Sequence, residues 1–232
     1  MDFVEDNLDL ILVPAGLLIM FTYHLYLIYR VLRYPATTAI GYENHNRMQW
    51  AECMMKGGSS TSVAVSVLST NTTTAIYLAT FTLTVSTLIG AWVGSSTGYL
   101  SKNVFIIGDT SPNTVTLKYI SMIVALMLAF GSFVQSARYC VEADFYISTP
   151  SAEVPVSYVQ SALLRANNFW QLGYRFLYFA MAFLFWSFGP IPMFASCLLM
   201  VVLLSILDTN STKLHWYQMK PKFPVKKVVE EM

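Results

Sequence analysis

Charge is what this chain has least of. Asp, Glu, Lys and Arg make up 12% of its 232 residues, against 55% hydrophobic, and soluble domains carry about twice that charged share. With a formal net charge of +1 there is no broad basic face to neutralise phosphates, which excludes nucleic acid as a partner. Cysteine is scarce as well. Cys53, Cys140 and Cys197 are odd in number and far apart, so neither a disulfide framework nor a zinc-ligand spacing is present. There is no HExxH, phosphate loop or dinucleotide fingerprint, and no metal or cofactor is expected. The "GSSTG" at 94–98 matches GxSxG in letters only. It falls at a helix end, far from His45 and His215, where that motif needs a strand-to-helix elbow with a histidine in reach.

What the chain does have is long apolar runs. A crossing needs about 20 mostly apolar residues, and the sequence predicts an all-α, polytopic helical membrane protein with about five such spans. They are placed at 10–32, 72–93, 115–137, 174–188 and 192–207, in one domain over 1–216, with 217–232 as a basic cytoplasmic tail. Pro14 falls near the first turn of span one, where a missing N–H costs little. "STNTTT" is expected to start span two. "FGPIP" at 188–192 divides the last apolar block, because two prolines and a glycine make poor helix interior. "MDFVEDNLD" is acidic where a secretory leader would be basic, so the first span is expected to stay in place as its own insertion signal.

Charge asymmetry orients the chain. With the N-terminus outside or lumenal and the C-terminus cytoplasmic, all of the 14 basic residues except Lys102 and Lys118 fall on the cytoplasmic side, as the positive-inside bias requires. Trp92 and Trp186 then sit at the outer boundary, and Trp50, Trp170 and Trp216 at the inner one. Two connections read as interfacial amphipathic helices. "NRMQWAECMMKGG" carries Met48, Ala51 and Met54 on one face, and "SYVQSALLRANNFW" opens on Ser157 and Gln160 at capping-box spacing.

Lipid gives no hydrophobic drive for helix pairing, so small residues mark close contacts. Ala75, Ala79, Ser86, Gly90 and Gly94 form one stripe, the last two as GxxxG. Ala125, Ala129 and Ser132 form another. The two spans are expected to pack face to face along these stripes, the other reading being a pore lined by their hydroxyls. His24 stands mid-span, where an ionisable group is a functional candidate. Its plainer reading is a neutral imidazole bonded to a hydroxyl of another span. A polar cluster at the inner mouth is the second candidate. It comprises Arg33, Glu43, His45, Arg138, Tyr139, Glu142, Asp144 and Arg175, with an Arg138–Glu142 pair one helical turn apart. A structural network at charged helix ends is its first reading and a binding site its second.

"RYPATTAIGYENHNRMQWAECM", "SARYCVEADFYIS" and "FWQLGYRFLYFAMAFLFWSFGPIP", in that order, resemble a plant membrane-protein family with bacterial relatives, known as domain of unknown function 599. The likeness extends from about Tyr23 to Trp216. It implies a small multi-span protein of a plant plasma membrane or endomembrane, and it supplies no substrate, cofactor or catalytic residue. The expected function is non-enzymatic: a small transporter- or channel-like unit in the lipid bilayer, able to form a homo-oligomer. The alternatives are an assembly or scaffold protein that contacts other membrane proteins, and a membrane enzyme acting on lipid.

Overall fold

A computed structural model describes residues 2–56, 61–95, 111–149 and 154–214. The chain forms α1 (Asp2–Arg33), a 3₁₀ turn (Pro35–Thr37), α2 (Ala39–Lys56), α3 (Thr61–Ser95), α4 (Pro112–Ser148), α5 (Val156–Trp186) and α6 (Pro190–Leu207). Among the described residues there is no strand, only an isolated antiparallel bridge between Thr38 and Thr209. The all-α membrane class expected from composition holds. Lys102, His215, Trp216, most of "GSSTG" and the tail 217–232 lie outside the described residues.

Four helices are long and apolar enough to cross a bilayer among the described residues: Leu8–Arg33, Thr61–Ser95, Asn113–Ser148 and Pro190–Leu207. The expected five is thereby corrected to four. The segment 174–188, counted as a span of its own, belongs to the longer α5, whose apolar run is interrupted by Gln171, Tyr174, Arg175 and Tyr178. The second expected interfacial helix is corrected for the same reason. "SYVQSALLRANNFW" is the first half of α5, its N-cap is Pro155, and Gln160 donates to the Met48 carbonyl at 3.1 Å instead of closing a capping box. α5 can carry polar groups along the bundle because α2, α4 and α6 pack around it.

Other boundaries moved outward. α3 starts at Thr61, not Thr72, and the threonines of "STNTTT" stand inside it. Thr70, Thr73, Thr74, Thr80 and Thr84 each donate the hydroxyl to the carbonyl four residues back, at 2.8–2.9 Å. Satisfied on its own backbone, a threonine no longer competes with the helix and can face lipid. α4 continues past Ala137 to Ser148, so "ARYCVEADFYIS" is helix throughout. α4 begins on a Ser111 cap, whose Oγ accepts from the Thr114 N–H, with a proline in the first turn. Pro14 lies well inside α1, which starts at Asp2, and not near its first turn. The break between α5 and α6 falls where expected. Gly189 adopts φ 133°, a left-handed conformation that side chains resist, and Pro190 opens α6.

α4 runs antiparallel to both α3 and α5, while α1 lies alongside α6 in parallel: Gly16 meets Cys197, and Arg30 reaches Thr209. On α3, Ala75, Ala79, Thr82 and Ser86 are buried, and so are Ala125, Ala129 and Ser132 on α4. Gly90 and Gly94 are different. A Cβ added at Gly90 meets only Ile123 at 4.0 Å, and one at Gly94 meets nothing within 4 Å, so the GxxxG makes no close contact. The tightest approach is between α4 and α5, where Phe133, fully buried, lies against Gly173 with Trp170 and Tyr174 edge-on to its ring. A Cβ at Gly173 would stand 2.6 Å from that ring. Gly173→Ala should therefore destabilise the protein by about 1–3 kcal/mol, read as a lowered unfolding midpoint in detergent. Adding Phe133→Leu should recover part of the loss, and a midpoint equal to wild type would sink this packing account.

Candidate functional site

Arg175 projects from the middle of α5 and would be costly to bury alone. It is 9% exposed, and Asp208, just past the last turn of α6, is 5% exposed. Nη1 of Arg175 donates to Asp208 Oδ2 at 2.9 Å, and Nη2 bonds Oδ1, so the pair is bidentate. Tyr23 on α1 donates its hydroxyl to Oδ2 at 2.7 Å. Three helices thus meet on one carboxylate. Beside it, Arg30 donates to the Thr37 carbonyl at 3.0 Å, Ala39 N–H to the Asp208 carbonyl at 2.9 Å, and Asn210 N–H to the Thr37 carbonyl at 3.0 Å. These bonds tie the end of α1, the start of α2 and the end of α6 into one knot.

A cleft of about 360 Å³ opens next to this knot between α1 and α5. Its walls are apolar, including Leu27, Ile28, Leu32, Leu172, Phe176 and Phe179, and Ile28, Leu32 and Leu172 are exposed where lipid would lie. His24 and Arg175 supply polar atoms to its lining. His24 Nε2 and Arg175 Nε are buried without a hydrogen-bond partner. The charge of Arg175 is already answered by Asp208, so the floor is polar but carries no net charge. Such a cavity suits an apolar chain ending in an uncharged or zwitterionic head.

The expected site residues fall in several places. His24 is half-buried in α1 and pairs with its own helix, Nδ1 against the Met20 carbonyl at 2.7 Å, and not with a hydroxyl of another span. Its ring lies 5.2 Å from that of Phe179. Glu43 accepts from Gln171 Nε2 at 2.9 Å, and His45 is buried in α2. Arg33 is exposed at the end of α1, and Arg30 makes the contacts expected nearby. Arg138 does not pair with Glu142, which accepts instead from Tyr146 at 3.0 Å. Arg138 and Arg165 both lie over the Tyr139 ring at 5.7 Å, and Tyr139 stacks on Phe169. Asp144 has a buried, unpartnered Oδ1. The inner-mouth group is thus several separate contacts, of which only Arg175 joins the knot.

Sequence reasoning missed Asp208 and Tyr23. The signal was there: an arginine inside "LGYRFLYF" demands an acid, and "SILDTN" places one just past an apolar run. It also missed the cluster at the opposite end. Trp186 Nε1 donates to Asp9 Oδ1 at 2.7 Å, and Lys118, 3% exposed, stands 4.0 Å from the same oxygen and 5.6 Å from the Trp186 ring. Breaking one half of the Arg175–Asp208 pair by Asp208→Leu should cost about 3–5 kcal/mol, while Arg175→Met with Asp208→Leu should cost clearly less than the sum of those two single changes. Additive losses in a double-mutant cycle, measured by unfolding in detergent, would show that the two residues do not act as a pair.

No curated protein and no solved structure matches the chain. A family model described as protein of unknown function, DUF599, matches residues 11–213. That span holds α2 to α6, most of α1, and every residue of the Arg175–Asp208 knot, and the chain belongs to this family.

Proposed function

We propose that this protein is a non-enzymatic, transporter-like unit that takes an amphiphile with an uncharged or zwitterionic head from the surrounding lipid into the cleft between α1 and α5. The observation that carries the reading is the cleft itself: apolar walls open to lipid, and a polar, charge-compensated floor at Arg175 and His24. The carboxylates support binding over acid–base chemistry. Among the described residues no Asp or Glu lines the cleft; Asp208 beside it is held by Arg175 and Tyr23, and Asp144, whose Oδ1 has no partner, is not in its walls, whereas a general acid or base has to be free to exchange a proton with a substrate.

The proposed orientation keeps the N-terminus outside and the C-terminus cytoplasmic. α5, less apolar than the four spanning helices, runs back along α4 from the Ser136–Ala166 contact to that of Lys118 with Trp186, and so returns the chain and leaves α6 parallel to α1. That course supports opposite sides for the two ends, and the gathering of Arg30, Arg33 and Arg175 around the ends of α1 and α6, away from Lys118, supports the direction.

Purified full-length protein in phosphatidylcholine nanodiscs should bind a fluorescent long-chain alcohol saturably. Ile28→Trp, which fills the cleft from its exposed rim, should weaken binding at least about tenfold, a loss of roughly 1.4 kcal/mol. Equal binding by the variant would remove the cleft as the site, and co-purifying membrane proteins without any ligand binding would favour the assembly reading. A tag fused after Met232 should face the cytoplasm, and Asn71 and Asn210 should carry no glycan. A glycan on either asparagine would reverse the orientation.

A further inference from the structure

On the other side of α5, two adjoining cavities of about 100 and 220 Å³ share Arg47 of α2 and Asn71 of α3 as lining residues. The smaller is polar and is completed by Ser136 and Cys140 of α4 and by Asn167 and Trp170 of α5. Asn46 belongs to the larger, which reaches the exposed side chain of Val67. Arg47 contrasts with Arg175. Among the described residues its guanidinium has no hydrogen bond and no carboxylate within ion-pair distance. The charge facing these cavities is therefore positive and uncompensated.

The surrounding amides add a second requirement. Asn167 is 1% exposed, and its Nδ2 donates to Asn44 Oδ1 at 2.8 Å, yet its Oδ1 is buried without a partner. Asn46 Oδ1 is unpartnered in the same way. A buried acceptor left unmet is costly. A simple anion would answer Arg47 but leave these oxygens unsatisfied. An oxyanion that keeps a proton answers both, with its charged oxygens on the guanidinium fork and its O–H on an asparagine carbonyl.

From this geometry we infer that the Arg47 cavities form a binding site for a protonated phosphate group, either inorganic hydrogen phosphate or a phosphomonoester headgroup such as that of phosphatidic acid. The lateral reach to Val67 gives a lipid a route in, and the small inner cavity matches a free phosphate. The site is separate from the cleft between α1 and α5 and stands or falls without it.

The test uses full-length protein in nanodiscs. In phosphatidylcholine discs at pH 7, calorimetric titration with inorganic phosphate should saturate, and sulfate, which carries no proton there, should bind at least about tenfold more weakly. In a second arm, discs doped with phosphatidic acid are analysed by native mass spectrometry for lipid retained on the protein. Saturable phosphate binding identifies a soluble ligand, and retained phosphatidic acid identifies a lipid one. In either case Arg47→Gln should lower occupancy at least about tenfold. The thermal midpoint of the variant shows whether it is folded. Should it not fold, wild-type protein provides the readout: phosphate or phosphatidic acid, but not sulfate, should slow alkylation of Cys140 as followed on its own peptide. No binding in either arm, binding that survives Arg47→Gln, or equal affinity for sulfate and phosphate would overturn the assignment.

Discussion

A guanidinium inside a membrane-embedded bundle has to meet an acid, and for Arg175 that acid comes 33 residues later in the chain. Removing either ion from water costs several kcal/mol, which only a well-made pair with further hydrogen bonds offsets. The structure around the pair reflects that requirement. Asp208 is reached from two sides, by Arg175 on α5 and Tyr23 on α1, while its own carbonyl receives the first N–H of α2. α6 must end level with α1 for this to happen, so the register of the parallel α1–α6 pair is set at the knot and continues up to the contact of Gly16 with Cys197. The opposite end repeats the device with Asp9, Lys118 and Trp186. The bundle is therefore fastened at both ends by buried charge, and between them it relies on packing.

That packing differs from helix to helix for physical reasons. α3 is rich in hydroxyls yet presents many of them outward, because Thr70, Thr73, Thr74, Thr80 and Thr84 are satisfied by the preceding turn of their own backbone. The α3–α4 seam uses alanines and buried hydroxyls for close approach, whereas α4 and α5 meet through a large ring set against a glycine. Both solutions give dense contact without help from water.

α5 has a neutralised arginine on one edge and faces an uncompensated one across the other. The cleft beside Arg175 is greasy and electrically neutral at its floor, while the cavities beside Arg47 are positive and hold the unmet amide oxygens of Asn46 and Asn167. Two pockets separated by one helix thus offer opposite environments, one neutral and apolar, the other positively charged.

The apolar runs, the scarcity of charge and the Gly189–Pro190 break were legible in the letters, since greasy helices and helix breakers act locally. So was the small-residue seam, because a period near 3.6 places those residues on one face. Helix lengths were not legible. Threonine back-bonding and the fusion of 156–173 with 174–186 depend on what surrounds each segment, and α5 keeps its polar residues only because other helices cover them. His24 could be singled out as costly in lipid, but its bond to the Met20 carbonyl of its own helix could not, and the need of Arg175 for an acid pointed to Asp208 only once the fold set α5 beside the end of α6. Composition by itself determined the solvent of this protein. Tertiary structure alone decided that Arg175 is neutralised while Arg47, among the described residues, has no carboxylate in reach, because pairing depends on distances that no spacing along the chain encodes.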